Sequence, residues 1–163
     1  MERVRIEVVG YDHLDAAKLI GEVQQENASR YGTEDETPVD ATAFAAPHGI
    51  FLVGYLEDSP VACGGWRVRH LPDSDAAGDV EIKRMYVAGS VRRQGLARQM
   101  LATLEAAALR AGHRRAVLET GTKQPEALSL YRAVGYREIP KFGHYADEPD
   151  SVSMGKDLDT SSE

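Results

Sequence analysis

Met85-Tyr86-Val87-Ala88-Gly89-Ser90-Val91-Arg92-Arg93-Gln94-Gly95-Leu96-Ala97 is the stretch on which the fold turns. It reads as a strand that stops, a tight basic loop with glycine, and then a helix. The first backbone N–H groups of a helix have no partners within it. The positive end of the helix dipole and two arginines face the same loop, so the segment is a candidate cradle for a phosphate or pyrophosphate.

The chain around this loop has the size and composition of one folded domain. It has 163 residues, 42% of them hydrophobic, enough for a core that folds unaided. No apolar run is long enough to span a bilayer, and Met1-Glu2-Arg3-Val4-Arg5 lacks the apolar stretch of a signal peptide. A single cysteine, Cys63, excludes an internal disulfide framework and fits a reducing, cytoplasmic location. Set in an apolar segment, it reads as a core residue.

The formal net charge of −7 argues against nucleic-acid binding, which needs clustered Lys and Arg. Its distribution says more. Asp12 to Asp40 holds eight acids and two bases, Lys18 and Arg30. Arg92 to Arg115 holds six arginines and one acid, Glu105. The basic block coincides with the glycine loop.

Upstream, Val4, Ile6 and Val8 alternate with polar residues as in a half-buried strand. Ala16, Leu19, Ile20 and Val23 fall at helical spacing and predict a helix over about 14–29. Residues 31–38 read as an acidic loop, and Asp40 as the cap of a short helix ending near Phe44. Ile50 to Leu56 and Val61 to Val68, joined by Glu57-Asp58-Ser59-Pro60, predict an antiparallel hairpin. Gly64-Gly65 inside its second strand predicts a bulge or a close backbone approach. An acidic loop follows over 71–78. Asp79 to Val87 is a further strand, with Val80, Ile82 and Arg84 expected on one face and Glu81, Lys83 and Met85 on the other unless a bulge intervenes.

Downstream, Leu96, Met100, Leu104 and Ala108 recur every four residues in a long helix from about Gln94 to Ala111. Arg115 to Thr120 is a short strand. A helix opens at Pro125 and stops before Gly135. Residues 136–139 and 151–158 read as two last strands, and 159–163 as a disordered tail. No repeat or linker divides residues 1–158, so they form one domain. The strand–helix–strand crossover makes the strands ending at Val87 and Thr120 parallel neighbours, and ligands bind such sheets at the strands' carboxyl ends.

Arg92-x-x-Gly95-x-Ala97 is neither a Gly-x-Gly-x-x-Gly nor a Walker sequence. Together with its context (strand, loop, long helix, short strand, then Ala127-x-x-Leu130-Tyr131-x-x-x-Gly135-Tyr136) it resembles the GNAT superfamily of acyl-CoA-dependent N-acetyltransferases. The resemblance is close over residues 79–158 and extends to the first half only in order of elements. Glu119-Thr120-Gly121, Gln124-Pro125-Glu126-Ala127 and Phe142-Gly143-x-Tyr145 are similar to a group of small bacterial GNAT proteins. The implied fold is α/β, with a mixed, mostly antiparallel sheet of six to seven strands, a central parallel pair and about four helices. Dimers are common in that fold, so a homodimer is within what the resemblance implies.

The resemblance implies acetyl-CoA as donor co-substrate, and the histidine pattern predicts no metal. None of the five histidines has metal-ligand spacing. The pyrophosphate would lie on the amides of Arg92, Arg93, Gln94, Gly95, Leu96 and Ala97, with the two arginines offsetting its charge. The pantetheine arm would pair with the backbone of Met85, Tyr86 and Val87, with an N–H near Val87 facing the developing oxyanion. Gln124 occupies a position where the family often has Asn. Tyr131 matches the family's tyrosine acid; a phenol is protonated at neutral pH and can donate to a thiolate. Its alternative reading is a core tyrosine on an amphipathic helix. Glu81 matches a glutamate base of some members, with a structural carboxylate and a water relay as the alternative. Trp66 reads as core; Tyr31 and Tyr145 lie in segments that border the acceptor site in related folds, and each reads as a surface or packing residue. The expected reaction is acetyl transfer by direct attack of a small-molecule primary amine, with a cationic amine favoured by the acidic first third. A protein N-terminus or lysine as acceptor, or a non-catalytic acyl-CoA sensor, are the rival readings. Neither nucleic acid nor membrane is expected as a partner.

Overall fold

The computed structural model describes residues 4–69 and 78–158. Residues 71–77 of the loop expected over 71–78, His70 and the expected tail at 159–163 lie outside them. The elements are β1 (Val4–Val8), α1 (Leu14–Tyr31), a 3-10 turn (Ala41–Phe44), β2 (Gly49–Leu56), β3 (Ser59–Arg69), β4 (Asp79–Val87), a 3-10 turn (Gly89–Val91), α2 (Leu96–Arg110), β5 (Arg115–Gly121), α3 (Pro125–Ala133), β6 (Arg137–Glu138) and β7 (Ser151–Asp157). They form one seven-stranded sheet in the order β1-β2-β3-β4-β5-β7-β6. Among the described residues, three α-helices and two one-turn 3-10 helices stand where about four helices were expected. All neighbours are antiparallel except β4 and β5, the pair joined by the α2 crossover.

Alternation along the strands sorts side chains to two cores. Leu52, Val80, Ile82 and Leu118 pack against the Leu96, Met100, Leu101 and Leu104 stripe of α2 and against Tyr131 of α3. Phe51, Val53, Tyr55 and Cys63 pack against Ala16 and Leu19 of α1 and against Phe44. The sheet is therefore covered on both faces, and burial of these apolar side chains supplies the main stabilisation. Helix α1 is bounded by local chemistry. His13 Nδ1 accepts from the Asp15 N–H at 3.0 Å, and Gly32 closes the helix in a left-handed cap. Asp40 caps the first 3-10 turn, accepting from the Thr42 N–H at 3.0 Å. Trp66 and Cys63 are core residues. The Trp66 indole donates to the Leu104 carbonyl at 2.9 Å, and burial pushes the Cys63 thiol up to about 12. Among the described residues no helix is long and apolar enough to cross a membrane.

Two features of β3 and β4 position the site. First, the register slips between Cys63 and Gly65, opposite Lys83 and Tyr86. Arg84 takes a positive φ of 61° there, sparsely populated for a side chain of this size. This bulge corrects the simple alternation. Arg84 lies with Lys83 on the α1 face, where both reach Asp35, and Met85 returns to the α2 face with Ile82. A Cβ on Gly64, opposite the bulge, would meet the Met85 sulfur and displace that side chain. Second, β4 and β5 pair only over Val80–Ile82 and Ala116–Leu118. Beyond those residues β4 stays with β3 and β5 with β7. A gap opens between the carboxyl ends of the parallel pair.

Candidate active site

The loop after β4 turns through two residues of left-handed backbone. Arg93 and Gly95 both have positive φ, 69° and 77°. The α2 hydrogen-bond ladder begins with the Gln99 N–H on the Gly95 carbonyl at 3.0 Å, leaving the N–H groups of Leu96 and Ala97 ahead of it. No side chain caps this helix, and no acid lies in its first turn. A helix start without an internal acceptor is open to an external anion. Arg92 to Gly95 are exposed. Arg92 is partly committed within the protein: its Nε donates to the Val87 carbonyl at 2.8 Å, and its guanidinium pairs with Glu26 of α1. Arg93 is the less committed of the two cations.

Tyr131 sits on the inner face of α3, 8% exposed, with its ring against Tyr136 at 5.7 Å. Burial pushes its phenol up to about 12, so the hydroxyl is protonated throughout the physiological range. Gln124 stands at the N-terminus of α3, and its Oε1 accepts from the Tyr31 hydroxyl at 3.2 Å. Met85 and Val87 pack toward α2, and Tyr86 toward α1, where its hydroxyl meets Glu22 at 3.0 Å.

A cleft of about 230 Å³ lies at the gap between β4 and β5. Its walls are the end of α1, the segment after it, Lys83 of β4, the end of β5 with the segment that follows it, and the segment between β6 and β7. The rim contributes Tyr31, Glu34, Tyr145, Glu148 and Asp150. Lys83 and Glu119 lie deeper. Five carboxylates, Glu34, Asp35, Glu119, Glu148 and Asp150, face two lysines, Lys83 and Lys123.

Asp35 organises this cleft. Its Oδ2 pairs with Lys83 at 3.0 Å and with Arg84, and its Oδ1 accepts from the Thr37 N–H, the Thr37 hydroxyl and the Tyr145 hydroxyl. Burial acts to raise its carboxyl, but Lys83, Thr37 and Arg84 outweigh that and hold it far below the usual range. Glu119 behaves oppositely. Burial pushes its carboxyl above the usual range, against the lowering effects of the Tyr145 N–H and the Lys83 charge. Its Oε2 accepts from the Tyr145 N–H at 3.1 Å, while Oε1 is buried with no hydrogen-bond partner.

Glu81 lies outside the cleft lining. It is 5% exposed, and its Oε1 accepts from Arg67 at 3.2 Å. The acidic first third is also less open than its composition implies. Asp15, Glu22, Glu26, Asp35 and Asp40 bond to Tyr55, Tyr86, Arg92, the Lys83–Arg84 pair and Thr42. No sequence motif marks Asp35, Lys83 and Arg84 as site residues. The available signal was two adjacent cations in a strand otherwise fit for burial, which requires a buried acid elsewhere. Glu119 lies in a sequence motif that assigns it no role, and Tyr145 in a segment placed beside the acceptor site. Among the described residues, no group of three or more His, Cys, Asp or Glu could hold a metal ion.

The acetyltransferase (GNAT) family model matches residues 18–136. An IAA acetyltransferase of Azospirillum brasilense is 32% identical over 141 residues, covering 86% of this chain and 89% of that protein. A solved structure assigned as an acyl-CoA N-acyltransferase from Klebsiella pneumoniae superposes with a TM-score of 0.75 at 27% identity, covering 95% of this chain and 97% of that one. A GNAT acetyltransferase of Elizabethkingia anophelis, solved with acetyl-CoA bound, shares the fold with a TM-score of 0.67 at 16% identity, over 96% of this chain and 99% of that one. Together with the bulged β4, the open cradle and the splayed parallel pair, these matches make the chain a member of the GNAT acetyltransferase family and an acyltransferase.

Proposed function

We propose that this protein is an acetyl-CoA-dependent N-acetyltransferase acting on a primary amine of a small molecule by direct attack in a ternary complex. The observation that carries the reading is the cleft at the β4–β5 gap. Its volume of about 230 Å³ is below the roughly 300–1,000 Å³ of typical ligand pockets, which suits a small amine over a peptide. The acidic rim favours an acceptor that arrives as an ammonium ion.

Acetyl-CoA supplies the activated acetyl group. The N–H groups of Arg93 to Ala97, with Arg92 and Arg93, hold its diphosphate. The backbone of Met85, Tyr86 and Val87 aligns its arm, an N–H near Val87 faces the carbonyl oxygen, and Gln124 lies beside the arm. The neutral amine attacks the carbonyl carbon, and the C–S bond breaks. Tyr131 gives its proton to the departing sulfur. Its burial keeps that proton in place at neutral pH until the sulfur departs beside it. Glu81 takes the amine's proton through water, held in orientation by Arg67. Cys63, buried and bonded to the Arg84 carbonyl at 3.2 Å, takes no part as a nucleophile.

The test is a thiol-release screen of amines with acetyl-CoA on wild type, Tyr131→Phe and Glu81→Gln. The reading expects amine-dependent thiol release that falls in both variants. Unchanged rates in both overturn the catalytic assignment. Acetyl-CoA binding without thiol release from any amine would favour a sensor.

A further inference from the structure

The charges at the bottom of the cleft do not cancel pair by pair. Asp35 is the shared partner of two cations, Lys83 and Arg84, and its two oxygens already accept five donors. One positive charge is therefore in surplus beside it. Arg84 is turned away from the cleft lining, with its Nε on the Tyr11 hydroxyl at 3.3 Å. Lys83 lines the cleft, is 7% exposed, and among the described residues gives one of its three N–H donors to Asp35.

On the facing strand the imbalance has the opposite sign. Glu119 lines the same cleft, and one of its oxygens is buried without a partner. The groups that bear on it are Lys83 and Glu81 from β4, Asp35 from the segment after α1, and Tyr145 from the segment before β7. Glu81 is already paired with Arg67, and Asp35 with Lys83 and Arg84. Gly143 packs on the Glu119 carboxylate, where a Cβ would lie 2.8–2.9 Å from its atoms. That packing and the Tyr145 N–H fix the carboxylate on one side. Glu119 and Lys83 form no ion pair with each other, although both line one cleft.

A cation with spare donors and a carboxylate with spare acceptor capacity, poorly solvated and not paired with each other across the cleft, are complemented by a ligand carrying both charges. We infer that the acceptor is a carboxylate-bearing primary amine, an amino acid in the broad sense, with its ammonium group on the Glu119 side and its carboxylate on the Lys83 side. This rests on the N-acetyltransferase reading and names the substrate class of that site. It also assigns the Glu119-Thr120-Gly121 and Phe142-Gly143-x-Tyr145 motifs to one unit: β5 supplies the carboxylate, and the segment before β7 holds it.

The test uses matched triplets of an α- or ω-amino acid, its carboxamide, and the amine with hydrogen in place of the carboxylate. Two readouts are taken: thiol release from acetyl-CoA, and the melting temperature of the protein saturated with CoA. The expected result is a kcat/KM for the amino acid at least about tenfold above both analogues, the scale of one charge-assisted hydrogen bond. Lys83→Met abolishes that preference through KM, and Lys83→Arg restores part of it. Glu119→Gln lowers kcat/KM for every amine. Equal or better turnover of the carboxylate-free amines, or an unchanged preference in Lys83→Met, overturns the inference and leaves the acetyltransferase reading standing. If no amine releases thiol, the acetyltransferase reading fails. In that case an amino-acid-specific rise in melting temperature, lost in Lys83→Met, supports the zwitterion seat, and no such rise overturns it.

Discussion

Asp35→Asn is the sharpest test of how the cleft is held together. The substitution removes one charge and keeps an acceptor oxygen for Thr37 and Tyr145. It leaves Lys83 and Arg84, each with a side chain only 6% exposed, without their shared counter-ion. Deleting one partner of a buried ion pair costs about 3–5 kcal/mol. Asp35 itself is 15% exposed, and Arg84 keeps its bond to Tyr11, so the lower end applies, about 3 kcal/mol. For a chain of 163 residues that corresponds to a fall in Tm of about 6–12 °C. The pH dependence has a defined sign. The folded carboxyl titrates well below the unfolded value of about 3.9. Its contribution is therefore complete above about pH 5 and is lost as the pH falls through the unfolded value toward the folded one. The gap between wild type and Asp35→Asn in urea unfolding is accordingly full at pH 7 and narrows below about pH 4. A difference under about 0.5 kcal/mol at pH 7, or a gap that widens in acid, refutes the reasoning.

Other consequences follow from the same geometry. Tyr131→Phe lowers kcat by about 10²-fold or more and leaves the KM for acetyl-CoA within about threefold, as removal of a general acid requires; steady-state kinetics check this. Glu119→Gln makes the protein more stable at pH 7 by a few tenths to about 1 kcal/mol, allowing for solvent on its open side. Burial raises the folded Glu119 carboxyl above its unfolded value, so wild-type stability is lost as the pH rises from about 4.3 through the folded value. The advantage of Gln in urea unfolding then disappears near pH 4. Gly95→Ala costs about 1 kcal/mol for its left-handed backbone, because a Cβ there meets no atom within 4 Å. Calorimetric titration with CoA shows a larger loss of affinity than of stability if the loop amides hold the diphosphate.

The second half of the chain was legible because each signal there is local. Gly95 and the Leu96–Met100–Leu104–Ala108 stripe mark the loop and helix, Pro125 opens α3, and the long crossover forces β4 and β5 to be parallel. The face assignment of Arg84 was not legible. The bulge lies where the β3–β4 register slips between Cys63 and Gly65, a pairing of two strands that no one-strand pattern contains. Asp35 was hidden for a similar reason. Glu34, Asp35 and Glu36 are alike as sequence, and only the fold brings the middle one to Lys83 and Arg84, 48 and 49 residues away. Local composition also misstates the acidic first third, since several of its carboxylates are bound to α1-facing tyrosines and arginines and are not displayed to a ligand.

Direct transfer to an amine, without an acyl-enzyme, is tested most directly by intact-protein mass spectrometry after mixing with acetyl-CoA, with and without an amine acceptor. The expected result is an unmodified protein in both cases and an N-acetylated amine in the second. An acetyl adduct on the protein that forms without amine and is discharged by it would contradict direct attack. Unmodified protein together with unmodified amine across the whole panel would contradict acetyl transfer itself.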